Sequence, residues 1–507
     1  MEPDPLGQPA HDQGDVRPAA GLSLPVPGRR ERRRLQLKRP LFVALTFSLI
    51  VVSAATAARI HGTNGPDRLQ AVNGVRDLVS CGGGYDLATV DASDHVAPNC
   101  EVVSREASRD PYENGASQHQ TEVEPDSAAF GKTVVAVFQV GRVFDGGARN
   151  IGYAVSRDSG RTWRRGFLGG LGPRASDPSI VYDARHKVWL AVSLVFGNNG
   201  SKIAVNRSTD TRHWSAPVTA VSTTPQFGQD KEWIACDDWP QSPYYGNCYL
   251  SYSDTIGEEV VAQTSSDGGR TWSGITSAPG FPGRESIRGS FAPGVQPLVL
   301  PSGRVVIGYY DEGKISALRS DDGGATWTTE LGIAPADYRT HAGLRAAPLP
   351  TSAVSSDGRA YVAWTDCAFR PGCPANDVVY VSSTDGIAWS PVTRIPTGSG
   401  DAELPGLDAD PSRPGRLALT YYVYRGTSLD VRFVWSKNAG GSWSRSQLLN
   451  SRTVPVSGIA RTSLGSMVGD YISTSFAGGR AVPVFVLASA PHRGLHEAAF
   501  GSSIPVP

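Results

Sequence analysis

The sequence has no excess of charge of either sign, since its 507 residues contain 48 Lys and Arg against 48 Asp and Glu. Without a net field to hold a polyanion, nucleic acid is excluded as the main partner. Glycine (57) and proline (37) make up about a fifth of the chain, less than the ~25–30 % typical of low-complexity sequences. Because 40 % of the residues are apolar, collagen and wholesale disorder are also excluded.

Long apolar runs are absent except for Leu41–Ala58, which has 18 residues without a charge. Seven basic residues between Arg29 and Arg39 precede it, and small residues end it. This pattern predicts a signal peptide cleaved just before Arg59, and therefore a secreted protein. An uncleaved signal anchor is the alternative, and only then would a membrane be a partner. Residues 1–40 are predicted to be a disordered basic region, or to lie upstream of the true start.

Cysteine is scarce, with six residues, no Cys-x-x-Cys pair and none of the nine histidines at ligand spacing beside them. A cysteine-ligated metal site is therefore disfavoured. An even count in an exported chain indicates disulfides, although fifteen connectivities are formally possible and six buried thiols remain an alternative. We favour pairing between neighbours in the sequence: Cys81 with Cys100, Cys236 with Cys248, and Cys367 with Cys373.

Glycine and aspartate recur every nine or ten residues in the segment 59–104, where Asp67, Asp77 and Asp86 each follow a glycine by two or three positions. The segment resembles, in degenerate form, the calcium-binding repeat of RTX proteins, which winds into a parallel β-roll. That resemblance implies Ca²⁺ as a structural cofactor, bound by these aspartates. The alternative is a Gly/Asp-rich exported linker that needs no metal. Residues 105–116 are predicted to be a linker.

An eight-residue pattern, Ser-x-Asp-x-Gly-x-Thr-Trp, occurs three times in full, beginning at Ser156, Ser265 and Ser320. A softened copy begins at Ser436, and two copies shortened by one residue begin at Ser208 and Ser383. Runs rich in β-branched and aromatic residues precede each copy, which predicts a strand that ends in a tight turn. Several strands per repeat of roughly 55 residues predict the blades of a β-propeller.

This pattern is the Asp-box, or bacterial neuraminidase (BNR) repeat, and residues 117–507 resemble a sialidase-like six-bladed β-propeller. The predicted fold class is therefore all-β, with a β-roll-like segment before the propeller. The resemblance implies a secreted, monomeric glycoside hydrolase that cleaves terminal sialic acid or a related acidic sugar from a glycan or glycoconjugate. In that family three arginines bind the sugar carboxylate, a tyrosine activated by a glutamate is the nucleophile, and an aspartate is the acid/base.

Candidates for these roles come from the predicted inner strands and the loops beside them. The catalytic candidates are Asp145, Asp177, Glu232 and Tyr471, and the substrate-binding candidates are Arg142, Arg288 and Arg345. Solvent-exposed turns, a surface ion pair between Lys231 and Glu232, and an ordinary strand tyrosine are the structural alternatives.

The first-blade arginine of the family is missing, since Thr121–Pro125 reads Thr-Glu-Val-Glu-Pro. Arg394-Ile395-Pro396 spells the family motif, but it follows the fifth Asp-box and is interpreted as coincidence. A non-catalytic propeller that binds glycan or protein at the cell surface is therefore the alternative function.

Overall fold

The computed structural model describes residues 57–507, apart from 198–199, 224–227, 255–258, 278–293, 312, 329–330 and 492–493. Nearly all of the apolar run Leu41–Ala58 and the predicted site residue Arg288 lie outside these residues. Within them the protein is all-β, with a single 3₁₀ turn at Val456–Gly458. No helix in this part of the chain has the length and apolarity needed to span a membrane.

The N-terminal segment is a parallel β-roll built from six short strands. These are β1 (Arg59–His61), β2 (Arg68–Ala71), β3 (Leu78–Ser80), β4 (Leu87–Val90), β5 (His95–Val96) and β6 (Val102–Glu106). Odd-numbered strands pair in one parallel sheet and even-numbered strands in another, so the chain alternates between two faces as it winds. The Gly/Asp periodicity thus produces the roll-like coil that it predicts.

Seven blades follow, each a small antiparallel sheet led by a strand that lies near a common axis, and a single pairing between Ala175 and Ala148 joins the first two into one eight-stranded sheet. The first four are β7–β10 (Glu122–Phe130, Thr133–Arg142, Ala148–Ser156, Arg164–Phe167), β11–β14 (Arg174–Asp183, Val188–Phe196, Ser201–Ser208, Val218–Thr223), β15–β18 (Gln229–Cys236, Cys248–Asp254, Glu259–Ser265, Thr276–Ser277) and β19–β22 (Gln296–Val299, Val305–Asp311, Lys314–Ser320, Leu331–Pro335).

The fifth and sixth sheets are β23–β26 (Thr351–Val354, Ala360–Asp366, Asp377–Ser383, Thr393–Arg394) and β27–β30 (Asp401–Ala409, Leu417–Tyr424, Ser428–Ser436, Gln447–Leu448). A connection with β31 (Val454–Pro455), β32 (Ala460–Thr462) and β33 (Gly465–Met467) leads to the seventh, which contains β34 (Ser473–Ala477), β35 (Arg480–Ala488) and β36 (Glu497–Ser502). The last strand, β37 (Ile504–Pro505), pairs with β35.

The inner strands form a closed ring in the described part of the chain. Each of β7, β11, β15, β19, β23, β27 and β34 packs against the next, and β34 packs against β7. The prediction of an all-β propeller is confirmed, but the predicted number of six blades is wrong, because the ring contains seven. Blade 7 has no Asp-box, and its fourth strand is β6 of the roll, which pairs antiparallel with β36.

The Asp-boxes occupy the turns after the third strands of blades 1–6. In the first box, Asp158 accepts hydrogen bonds from the backbone N–H and hydroxyl of Thr162, and Ser156 Oγ accepts one from the N–H of Gly160. Gly160 has a φ of 83°, and a Cβ there would lie 2.6 Å from Val482 in blade 7. The box therefore serves to dock one blade against its neighbour.

Side chains of the inner strands also connect one blade to the next. Asp126 accepts the backbone N–H of Ile180, and Asp408 accepts that of Phe476. Burial raises the pKa of each of these two carboxyls to about 7 despite the N–H donors. These contacts satisfy backbone N–H groups between neighbouring blades, whose inner strands do not pair with one another in the described part of the chain.

All three predicted disulfides are present: Cys81–Cys100, Cys236–Cys248 and Cys367–Cys373. The first joins two coils of the roll and the second joins two neighbouring strands, β15 and β16. None of the described cysteines has a free thiol. The alternative of six unpaired thiols is therefore wrong.

Candidate functional site

Four inner strands share an irregularity at the same end of the propeller. The pairing registers of β7, β11, β15 and β27 shift at this point, and Glu124, Asp177, Lys231 and Leu404 there have φ values between 43° and 55°. Such bulges redirect side chains and are common beside active sites. The next residue is proline in three of the four strands, whereas in β15 it is Glu232. The third blade therefore introduces a carboxyl where its neighbours have an apolar ring.

Lys231 lies at the centre of a buried ion cluster. Its Nζ is 3.0 Å from Asp177 Oδ1, 2.5 Å from Asp470 Oδ2 and 3.6 Å from Glu124 Oε1. Burial alone would lower the pKa of Lys231, but these three carboxyls raise it well above its ordinary value. A permanently charged ammonium thus joins blades 1, 2, 3 and 7 at the axis.

Two arginines flank the cluster. Arg345 donates from Nε to Asp470 Oδ1 at 2.7 Å and from Nη2 to Asp470 Oδ2, a bidentate pair whose arginine side chain is 16 % exposed. Arg142 donates from Nη1 to Gln139 Oε1 at 2.8 Å, and Gln139 in turn donates to Glu124. Both guanidinium groups therefore reach the Lys231 cluster, one of them from a partly exposed position.

The pKa values of four carboxyl groups in the cluster are shifted in opposite directions, two of them down and two of them up. Burial opposes ionisation of Asp177 and Asp470, yet Lys231 lowers the pKa of the first, and Arg345 with Lys231 lowers that of the second. Burial raises the pKa of Glu124 to about 8, and burial with the nearby Asp177 charge raises that of Glu232 well above its ordinary value. The nearby cations thus favour the ionised forms of Asp177 and Asp470, whereas burial favours the protonated forms of Glu124 and Glu232.

Glu232 and Tyr471 are buried on the same side of the cluster. Neither carboxyl oxygen of Glu232 has a hydrogen-bond partner among the described residues. The hydroxyl of Tyr471 donates to the carbonyl oxygen of Pro178 at 3.1 Å, and its ring lies 4.8 Å from that of Trp233. Burial, followed by the charges of Glu124 and Asp177, raises the pKa of Tyr471 well above its ordinary value. The phenol is therefore a proton donor in this state.

A small cavity lies on the axis beneath the ion cluster. Its lining combines the ion pair Lys231–Asp470 with aromatic and aliphatic side chains, namely Trp233, Val295, Leu349, Leu404 and Tyr471. Ligand-binding sites commonly combine apolar walls with a few convergent polar groups in this way.

The predicted site residues are brought together in part. Asp177, Glu232, Tyr471, Arg142 and Arg345 all converge on the axial end. Asp145 lies apart from them in an exposed turn, where its side chain is 69 % exposed and pairs with Arg174 at 3.1 Å. The surface ion pair between Lys231 and Glu232 is not formed. After the bulge, Lys231 contacts Asp177, whereas Glu232 is buried and its carboxyl oxygens have no hydrogen-bond partner among the described residues. Arg394 lies on an outer strand and pairs with Asp377, so its Arg-Ile-Pro motif does not place it among the axial residues.

Three residues of the cluster were not predicted as site residues: Glu124, Lys231 and Asp470. The available signal was a repeated pair at the inner-strand bulges, Glu124-Pro125, Asp177-Pro178 and Leu404-Pro405, in which the residue before proline faces the axis. Proline favours an extended conformation in the residue before it but does not impose one. The repeated pair therefore marks a position in the strand and does not define the chemistry of the side chain there.

The aspartates of the roll accept hydrogen bonds from backbone N–H groups, two of them from an adjacent coil and one from within the same coil. Asp77 Oδ1 accepts the N–H of Ala58 at 2.6 Å, Asp86 Oδ1 accepts the N–H of Asp67 at 2.8 Å, and Asp67 Oδ2 accepts the N–H of Thr63. In the described roll these three carboxylates do not form a single group of metal ligands. Calcium binding here stays a prediction.

Comparison with known proteins agrees with the Asp-box prediction. Residues 241–469 match the family model described as BNR repeat-like domain. This stretch holds the boxes that begin at Ser265, Ser320, Ser383 and Ser436. A xyloglucanase from Paenibacillus sp. is 30 % identical over 197 residues, which cover 36 % of this chain and 18 % of that protein. The alignment thus spans less than a fifth of the relative's length.

The solved structures to which this chain is similar have low sequence identity to it. The NanB sialidase from Streptococcus pneumoniae is 14 % identical, with 78 % of this chain and 70 % of that chain covered and a TM-score of 0.42. A polysaccharide lyase, PL25 ulvan lyase, is 12 % identical with 78 % and 96 % coverage and a TM-score of 0.45. An α-L-arabinanase from Penicillium chrysogenum is 14 % identical with 66 % and 94 % coverage and a TM-score of 0.41. The number of blades, seven, follows from the inner strands of this chain alone.

Proposed function

We propose that the axial end of the propeller is the active site of a glycoside hydrolase, with a terminal sialic acid or a related acidic sugar as substrate. The observation that carries this proposal is the contrast, within one buried cluster, between Asp177, whose Oδ1 lies 3.0 Å from Lys231 Nζ, and Glu232, whose carboxyl oxygens have no hydrogen-bond partner among the described residues. Although burial opposes it, Lys231 lowers the pKa of the first carboxyl, whereas burial raises that of the second. Glycosidases need one carboxyl group that donates a proton to the leaving oxygen and another that is ionised, and different environments keep the two apart.

The arginines suit an acidic sugar. A guanidinium binds a carboxylate through two parallel hydrogen bonds, and Arg345 already does so with Asp470. A sugar carboxylate would compete with Asp470 for Arg345, whose side chain is the more exposed of the two arginines. Arg142 is the proposed second contact. Its Nε is buried and has no hydrogen-bond partner among the described residues.

The test is turnover of a fluorogenic α-sialoside and of a panel of fluorogenic uronides by the purified chain and its Glu232→Gln variant. We expect the variant to lose about 10²- to 10⁴-fold in kcat, which is the usual contribution of a general acid. Glu122→Gln is the matched control, because Glu122 is also a buried glutamic acid with a raised pKa but lies outside the axial cluster. Equal activity in all three proteins would reject the assignment of Glu232.

Tyr471→Phe tests the sialidase form of the mechanism. If the phenol is the nucleophile, this variant loses turnover to the same degree as Glu232→Gln, with an unchanged melting temperature. A rate within tenfold of the wild type would remove Tyr471 from the reaction and leave the Asp177–Glu232 pair. The same assay with Asp145→Asn decides whether that exposed aspartate has the acid/base role predicted for it.

A non-catalytic binding propeller is the second candidate. The observation that favours it is that Arg345 and Lys231 are already neutralised by carboxylates of this chain. Absence of turnover together with saturable binding of sialyl-lactose would support this function. We further propose that the protein is exported, since three disulfides are typical of an oxidising compartment.

A further inference from the structure

A histidine and two carboxylates converge near the axial end, on residues that the proposed reaction does not use. His341 Nε2 lies 2.6 Å from Glu403 Oε1 and 3.4 Å from Asp401 Oδ2. One ligand atom from each of the three side chains lies within 4.8 Å of the others. The His341 and Glu403 side chains are 4 % and 2 % exposed, and that of Asp401 is 14 % exposed. We infer that these three residues form a binding site for a divalent transition metal, Zn²⁺ or Mn²⁺.

The donor set fits that class of ion. Imidazole nitrogen suits Zn²⁺ and its first-row neighbours, while carboxylate oxygens suit Mn²⁺ as well, so a mixed set of one nitrogen and two oxygens selects against Ca²⁺. In a tetrahedral site with bonds of about 2.0–2.1 Å, ligand atoms lie about 3.3 Å apart. The separation of His341 and Asp401 already has this value, at 3.4 Å. The shorter contact to Glu403 is the hydrogen bond that the ion would replace.

Neighbouring groups hold the ligands in place. Asn376 donates from Nδ2 to Glu403 Oε1 at 2.7 Å and from its backbone N–H to Asp401 Oδ1 at 2.7 Å. The ring of His341 lies 4.4 Å from that of Tyr424. Partners that orient the ligands in this way are a regular feature of metal sites. The two carboxylate groups that face His341 are therefore held in place before an ion arrives.

The three protein ligands leave at least one coordination position for water. They also join two separate parts of the chain, because His341 lies on the loop 336–350 and the carboxylates lie on β27. Arg345 is on the same loop, four residues further along, and its backbone N–H donates to Ser466. A bound ion would therefore fasten the loop that presents Arg345 to the axial cluster. Metal binding itself does not depend on the proposed hydrolase function.

The experiment titrates the full chain, after removal of metals with a chelator, with ZnCl₂, MnCl₂ and CaCl₂ in separate calorimetric runs. We expect one equivalent of Zn²⁺ or Mn²⁺ to bind at this site, and His341→Gln to weaken that binding at least tenfold. His186→Gln is the matched control. His186 also contacts a carboxylate, Asp183 at 2.6 Å, but the other two ligand candidates there are joined in the disulfide Cys236–Cys248.

Asp401→Asn is the second variant, chosen because Asp401 is the most exposed of the three ligands and its replacement keeps the size and the Oδ1 acceptor. It should bind the ion at least tenfold more weakly with an unchanged circular dichroism spectrum. Slower hydrogen exchange in residues 336–350 on addition of Zn²⁺ is the expected independent readout. Binding of Ca²⁺ alone, no binding of any ion, or equal affinity in the wild type and Asp401→Asn would overturn the proposal.

Discussion

The roll and the axial cluster both bury several carboxyl groups, but they use them in opposite ways. In the roll, the oxygens of Asp77 and Asp86 accept backbone N–H groups from the preceding coil. At the axis, Asp177 and Asp470 face Lys231, while Glu232 has no partner among the described residues. A buried carboxyl group whose oxygens accept backbone N–H groups has a structural role. A buried carboxyl group that is paired only with a cation, or that keeps its proton, can still take part in proton transfer.

The largest expected effect comes from removing the cation at the axis. Lys231→Met leaves Asp177 and Asp470 buried without their shared partner, which should lower the free energy of unfolding by about 3–5 kcal/mol. Urea denaturation followed by circular dichroism measures it. Lys314→Met is the control, because Lys314 pairs with Asp311 at 3.3 Å with a side chain that is 36 % exposed, and it should cost less than about 1 kcal/mol. Equal losses in both variants would contradict the comparison.

A smaller loss is expected in the roll. Asp77→Ala leaves the Ala58 N–H and the Asn73 amide without their acceptor, which should cost about 1–3 kcal/mol. Hydrogen exchange of peptides from residues 57–106 measures this loss locally. Asp67→Ala is the matched change at a half-buried aspartate and should cost less. If the two variants are equally destabilised, burial of the acceptor is not what matters.

The pH dependence of stability should have opposite signs in the axial cluster and in an Asp-box. Folded Glu124 has a pKa of about 8 against an ordinary value of 4.5, so its contribution to stability is fully present below pH 4.5 and is lost as the pH rises through 8. Burial would raise the pKa of Asp267, but its hydrogen bonds with Thr271 lower it from 3.8 to about 2. Its contribution is therefore present above pH 3.8 and is lost as the pH falls through 2.

The variants Glu124→Gln and Asp267→Asn separate these two effects in melting temperatures recorded between pH 2 and 9. The first should flatten the profile between pH 4.5 and about 8, and the second only the acid part below pH 3.8. A Glu124→Gln profile that still falls between pH 5 and 8 as steeply as that of the wild type would assign the slope to another group.

The smallest expected effect is that of calcium on the roll, where binding remains a proposal. If Asp67, Asp77 and Asp86 also coordinate Ca²⁺, adding the ion should raise the melting temperature of the roll by a few degrees relative to EDTA. Asp86→Asn should reduce that shift. Identical melting in CaCl₂ and EDTA would leave the carboxylates as hydrogen-bond acceptors only.

Local patterns carried most of the fold, as the Asp-boxes show. Each box is a turn with its own hydrogen bonds, so six blades and the three nearest-neighbour disulfides could be read from short stretches of sequence. Blade 7 could not be counted in this way, because it has no box and joins Val102–Glu106 to strands near the other end of the chain. A pairing between such distant segments has no signature within either of them.

Only some members of the site were predictable from the sequence, and the contacts between them were not. Asp177, Glu232 and Tyr471 stood out as polar residues at the openings of blades, and the structure brings them together. Adjacent residues Lys231 and Glu232 looked like an ion pair, but a bulge with a φ of 55° at Lys231 separates them. Backbone irregularities of this kind depend on the packing of neighbouring blades, which no local pattern contains.

The shared strand β6 also sets an order of events during synthesis. Ser104 on β6 contacts Ser502 on β36, a partner 398 residues further along the chain. At a translation rate of about 5–20 residues per second, β6 leaves the ribosome roughly 20–80 s before the strand that it must pair with. During that interval the edge of the roll is exposed to other nascent chains, so the disulfide Cys81–Cys100 and the short length of β6 protect the molecule at its most vulnerable stage.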